Sequence, residues 1–91
     1  AFAGAKFGLR ALSQSMAREL GPQGIHVAHV IIDGMIESDA VRQKFPERTA
    51  AKGPDGMLDP AAIAESYYQL HTQPRNAWSW EIDLRPWVEQ W

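Results

Sequence analysis

Few side chains in this sequence could do chemistry, and their spacing limits what that chemistry is. Lys6 lies at the start of a helical stretch, where spacing alone makes it a plain solvent-facing lysine. His26 and His29 are three apart in an extended run, so they face opposite sides and cannot readily hold one metal between them. His71 falls near the end of a helix, where a partial positive charge suits the carbonyl end of the helix dipole. Asp55 and Asp59 flank a Gly-Met turn, and helix capping accounts for Asp59 better than a metal does. Tyr67 and Tyr68 carry ionisable hydroxyls but sit among apolar neighbours in a helix, a poor setting for a catalytic acid. The absence of cysteine removes disulfides, thiol nucleophiles and thiolate metal sites together. No metal site is expected. Gly34 permits a ligand to approach the backbone closely.

The composition narrows the setting of these residues. The 91 residues suffice for at most one small domain. An apolar share of 45% with four Trp is that of an ordinary globular protein. Nine basic residues against eleven acidic ones give a net charge of -2. The basic residues are scattered along the chain, so nucleic acid is not an expected partner. The longest strongly apolar run, near Val27–Ile32, is far too short to span a bilayer, and no signal-peptide pattern opens the chain. The lack of cysteine fits a reducing cytoplasm. The chain starts at Ala1, without Met, directly in helical sequence, which reads as a fragment of a longer protein.

Five segments position these residues. Ala1–Leu20 reads as a helix, with Phe2, Leu9, Leu12, Met16 and Leu20 on one stripe and Arg10, Gln14 and Arg18 on a polar one. Gly21-Pro22 and Gly24 end it. Ile25–Ile32 is a short β-branched run, apolar on both faces, as in a buried strand of a parallel sheet. Met35–Gly56 reads as a loop in which Ser38–Lys44 forms a short helix and Pro46, Gly53, Pro54 and Gly56 mark irregular chain. Leu58–Gln73 reads as a helix with Asp59 at its cap, Pro60 at its first position, and Ile63, Tyr67 and Leu70 on one face. Trp78–Leu84 alternates between apolar and polar, as a strand with one wetter face does, and Pro86 stops it. Trp78, Trp80, Trp87 and Trp91 then serve either core packing or an oligomer interface.

This order, helix, buried strand, loop, helix, strand, resembles the C-terminal third of a short-chain dehydrogenase/reductase. The residues add to the likeness. Ala3-Gly4-Ala5-Lys6-Phe7-Gly8-Leu9, continued through Ser15-Met16-Ala17-Arg18-Glu19-Leu20-Gly21 to Gly24-Ile25-His26-Val27, is similar to that family's catalytic helix and following strand. The resemblance covers most of the chain and is strongest over residues 1–38. It implies an α/β fold, with residues 1–91 forming the C-terminal part of a doubly wound parallel sheet. It also implies an NAD(P)-linked oxidoreductase acting on a hydroxyl or carbonyl group of a small molecule, in a protein that forms homo-oligomers. The self-pairing of an uncovered strand edge points to the same kind of assembly.

The family's signature is a Tyr and a Lys one helical turn apart. Lys6 matches the Lys, which favours the phenolate and binds the cofactor ribose; the Tyr position holds Phe2. Phe has no proton to give. A parent protein with Phe2 therefore uses another donor, binds cofactor without the usual chemistry, or is catalytically silent, in the last case as a binding or assembly module on the same fold. After the strand, Asp33-Gly34-Met35-Ile36-Glu37-Ser38 stands where the family has Pro-Gly-x-Val/Ile-x-Thr. Gly34, Ile36 and Ser38 are then cofactor-binding positions, Ile36 through its backbone to the nicotinamide carboxamide and Ser38 in place of the Thr hydroxyl. The family's glycine-rich phosphate loop has no counterpart in these residues, so residues 1–91 alone are not expected to bind NAD or NADP.

Overall fold

The computed structural model describes residues 2–91. Its elements, in chain order, are helix α1 (Phe2–Leu20), strand β1 (His29–Ile32), helices α2 (Asp39–Lys44), α3 (Pro46–Lys52) and α4 (Pro60–His71), and strand β2 (Glu81–Leu84), with single 3-10 turns at Gly21–Gln23 and Arg75–Ala77. The residues divide into two compact units. One holds the chain up to Ile31 together with Gln69–Ile82, and the other holds Ile32–Tyr68 together with Asp83–Trp91.

The α/β character is confirmed in a small form. β1 and β2 pair in a two-stranded sheet. His29 donates its amide to the Trp80 carbonyl at 2.8 Å, and Asp33 donates to the Leu84 carbonyl at 2.9 Å. The two residue numbers rise together, so the strands are parallel. Both strands are shorter than the patterning predicts. Residues 25–28 and 78–80 stay outside the ladder, although the His26 ring reaches the Ser79 carbonyl at 2.8 Å. The strand Ile25–Ile32 is also not buried: His29–Ile32 is half-buried throughout and Ile25 is exposed. With a single partner strand among the described residues, β1 has one paired edge and no second sheet neighbour to cover it.

Helix α1 follows its pattern in extent and departs from it in orientation. Its apolar stripe, Phe2, Leu9, Leu12 and Met16, is exposed, and no residue of the helix is buried. The partly covered face is Arg10, Ser13, Gln14, Ala17 and Leu20, four of them small or polar. The polar stripe faces β2 instead, where Arg10 pairs with Glu81.

The segment 35–56 is more ordered than a loop reading allows. Ser38 caps α2 by accepting the Val41 amide at 3.1 Å. Pro46, read as a loop marker, is the first residue of α3, a position where its missing N–H breaks no helical bond. Thr49 in α3 is buried and donates its hydroxyl to the carbonyls of Phe45 and Pro46. Asp59 caps α4 as expected, its Oδ1 taking the Ala61 amide at 3.0 Å. On α4, Leu70 is buried and Ile63 half-buried, while Tyr67 is turned out to solvent. The four tryptophans divide: Trp78 and Trp80 are half-buried, and Trp87 and Trp91 are exposed.

Candidate functional site

The expected site residues fall into two groups, each within its own unit. In the first, Phe2 and Lys6 stand one turn apart on α1, so their side chains share a face. The Lys6 Nζ lies 5.4 Å from the centre of the Phe2 ring, within reach of a cation–π attraction. Both side chains are exposed. Among the described residues no ion pair ties up the ammonium, and the exposed side chain has three donors to give.

The second group is Gly34, Ile36 and Ser38. The chain leaves β1 at Asp33 and turns at Gly34, whose φ of +141° is outside the range of ordinary side-chain-bearing residues. A Cβ built on Gly34 would lie 2.7 Å from Pro86 Cδ. The close approach that this glycine allows is therefore to the chain's own Pro86. Ile36 then forms a single parallel bridge with Leu58. Glu37 donates to the Leu58 carbonyl at 2.8 Å, and Leu58 donates to the Met35 carbonyl at 2.7 Å. In a parallel bridge of this kind the central residue's own N–H and C=O point to the opposite edge. Ile36 thus offers one donor and one acceptor side by side on an exposed stretch of backbone. Ser38 is exposed, and its oxygen is engaged as the α2 cap while its hydroxyl proton is not used in that bond.

Sequence reasoning missed two charged clusters. Arg10, His29 and Glu81 meet in the first unit: Arg10 Nε donates to Glu81 Oε2 at 2.5 Å, and His29 Nδ1 lies 3.2 Å from the same oxygen. His29 also stacks on Trp80, while His26 stacks flat on Trp78 and reaches the Ser79 carbonyl at 2.8 Å. In the second unit Arg85 bridges Asp33 and Asp83. Both clusters join residues far apart in sequence, so no local spacing signals them. Among the described residues, no group of three or more His, Asp or Glu side chains is placed to hold a metal ion.

The hydrogen bond from Arg10 holds the Glu81 carboxyl below its ordinary value of 4.5. A carboxylate depressed by folding stabilises the fold fully above its unfolded pKa, and that contribution is lost as pH falls through the lowered folded value. Glu81→Gln removes the titrating group. The difference in unfolding midpoint between wild type and Glu81→Gln is therefore expected to be constant from pH 7 to about 5 and to shrink steadily below about 4.5. Urea titrations at half-unit pH steps measure it. A difference independent of pH down to the acid limit contradicts the assignment.

No protein-family model and no curated protein matches the chain. A short-chain dehydrogenase from Rhodopseudomonas palustris, of known crystal structure, is similar to it at 45% sequence identity with a TM-score of 0.64. The match covers 94% of this chain and 29% of the dehydrogenase, so the chain spans less than a third of that protein's length. The family resemblance read from the residues is borne out over nearly the whole chain. No helix among the described residues is long and apolar enough to cross a membrane.

Proposed function

We propose that this chain, a stretch of the short-chain dehydrogenase type, forms the C-terminal part of the doubly wound domain of an NAD(P)-linked oxidoreductase acting on a hydroxyl or carbonyl group. The observation that carries this reading is the peptide edge of Ile36. Its N–H and C=O, left over by the bridge to Leu58, form a donor–acceptor pair of the kind a carboxamide requires. The residues thus fit the nicotinamide end of the cofactor. The family resemblance gives Lys6, whose side chain is exposed, the role of donor to the ribose hydroxyls. Ser38 has a hydroxyl proton to give beyond its capping bond. When bound, the nicotinamide supplies or accepts the hydride.

Phe2 favours a second reading from a different class. Its ring offers Lys6 a π face and no phenolic proton, so proton transfer from this position does not occur. A non-catalytic nucleotide-binding or assembly module on the same fold would retain Lys6 and Ile36 and dispense with the acid.

Calorimetric titration of the full-length protein with NAD⁺ and NADP⁺ tests the cofactor reading. Binding of one of them is expected, and Lys6→Met is expected to weaken it roughly tenfold, the scale of a lost charged hydrogen bond. Residues 1–91 alone, which carry no glycine-rich pyrophosphate loop, are expected to bind neither. Failure of the full-length protein to bind either nucleotide removes the reading.

A further inference from the structure

The chain after β2 is not a loose tail. Arg85 Nη1 donates to Asp33 Oδ2 at 2.9 Å, and its other nitrogen pairs with Asp83. The guanidinium lies 3.8 Å from the centre of the Trp91 ring. Pro86 is buried and sits against Gly34 so closely that no side chain fits there. Trp87 Nε1 donates to the Pro54 carbonyl at 3.3 Å, and Glu89 comes within 3.9 Å of Lys52 Nζ. Two of these contacts, at Arg85 and Pro86, therefore strap residues 85–91 to the segment that leaves β1, and two more, at Trp87 and Glu89, tie them to Pro54 and Lys52.

The target of the strap matters. It grips Asp33 and Gly34, three and two residues before Ile36. Leu58 holds the segment at residues 35–37 through backbone bonds. The strap holds it at residues 33–34 through Arg85 and Pro86. Arg85, with its side chain only 18% exposed, is the centre of this grip, because it touches Asp33, Asp83 and Trp91 together. A planar guanidinium can bridge two carboxylates and stack on an aromatic ring at once, and an ammonium cannot.

We infer that Arg85 and Asp33 are positioning residues: their ion pair, clamped by Trp91, fixes the backbone at 33–36 and so aims the peptide edge of Ile36 at the nicotinamide end of a bound dinucleotide. This rests on the cofactor reading above and adds which residues set the geometry of that contact. Neither side chain touches the cofactor. Their effect is confined to one end of it, since the adenosine and pyrophosphate end has no contact with this segment in that reading.

That confinement gives the test. Dissociation constants of the full-length protein are measured by calorimetry for NAD⁺ or NADP⁺, whichever binds, and for the matching ADP-ribose or 2′-phospho-ADP-ribose, which lacks the nicotinamide. Arg85→Gln is expected to weaken the dinucleotide roughly tenfold and to change the truncated ligand less than twofold. Arg85→Lys, which keeps the charge but not the stack or the double bridge, is expected to fall between. Asp33→Asn tests the same bond from its more exposed side and serves if Arg85→Gln does not fold. Equal losses for both ligands mean a general structural role and overturn the inference, as does no change for either. A wild-type protein that binds the truncated ligand and the dinucleotide equally well shows that Ile36 makes no nicotinamide contact, which also overturns it. A wild-type protein that binds neither ligand overturns the cofactor reading itself, and this inference with it.

Discussion

On the oxidoreductase reading proposed above, replacing Phe2 by Tyr in the full-length protein is expected to raise dehydrogenase turnover about 10²- to 10⁴-fold, the range a positioned general acid contributes. The geometry favours the gain. Phe2 is 77% exposed, so an added hydroxyl meets no packed neighbour among the described residues. The Lys6 ammonium already lies over the ring at 5.4 Å. A phenol at that position has a cation nearby, which favours the phenolate and brings its pKa toward the working range. Helix α1 runs unbroken from Phe2 to Leu20, so the relation of the two side chains does not depend on a mobile loop. Steady-state rates with NAD(P)H, taken across pH 6–10, provide the measurement. The Tyr variant is expected to show a pH limb that the wild type lacks, and Phe2→Leu to match the wild type. High turnover with Phe2 in place, and no gain from Tyr, would falsify the view that this position is where the proton transfer was lost.

The second large effect is expected at Gly56. A Cβ there would lie 2.1 Å from the Lys52 carbonyl oxygen and 2.6 Å from its carbonyl carbon. These are backbone atoms at the end of α3, and they cannot step aside without dismantling the turn at Gly53–Gly56. Gly56→Ala is expected to cost about 3–5 kcal/mol, at the severe end for a single substitution. Gly34→Ala is expected to cost somewhat less, since its Cβ would meet Pro86 at 2.7 Å but from a side chain, with additional strain from φ of +141°. Gly8→Ala provides the opposite sign. It sits mid-helix with nothing within 4 Å, and Ala there is expected to stabilise by about 0.5–1 kcal/mol. Urea unfolding of the three variants in the full-length protein reads the order. A Gly56→Ala protein as stable as wild type contradicts the contact.

What was legible in the residues is what local physics controls. The extent of α1 followed from its periodicity, the cap of α4 from Asp59-Pro60, and the start of α2 from Ser38. The parallel pairing of β1 with β2 followed from the family resemblance and from the apolar run. Orientation was not legible. Arg10 reads as part of a solvent-facing stripe until its partner Glu81, 71 residues away, is known. The same holds for Arg85 and Asp33, 52 residues apart. Pro46 was misread because proline both breaks chains and begins helices, and only the following residues' bonds decide between the two. For the candidate site, the family pattern named Lys6, Gly34, Ile36 and Ser38 as expected positions, and the strap that grips Gly34 and its neighbour Asp33 carried no local signal at all.

The pairing of β1 with β2 has a kinetic consequence. Every residue from 33 to 80 lies between the two strands, so their ladder closes a long loop. Closing a flexible loop of that length costs roughly 3 kcal/mol beyond a constant. Helices α1 and α4 need only local contacts and form on the microsecond scale. The ladder, and with it the bond from Arg10 to Glu81, must wait for the ends to meet. Substitutions that weaken the ladder should then speed unfolding and leave the folding rate nearly unchanged, whereas substitutions that lower the helicity of α4 should slow folding.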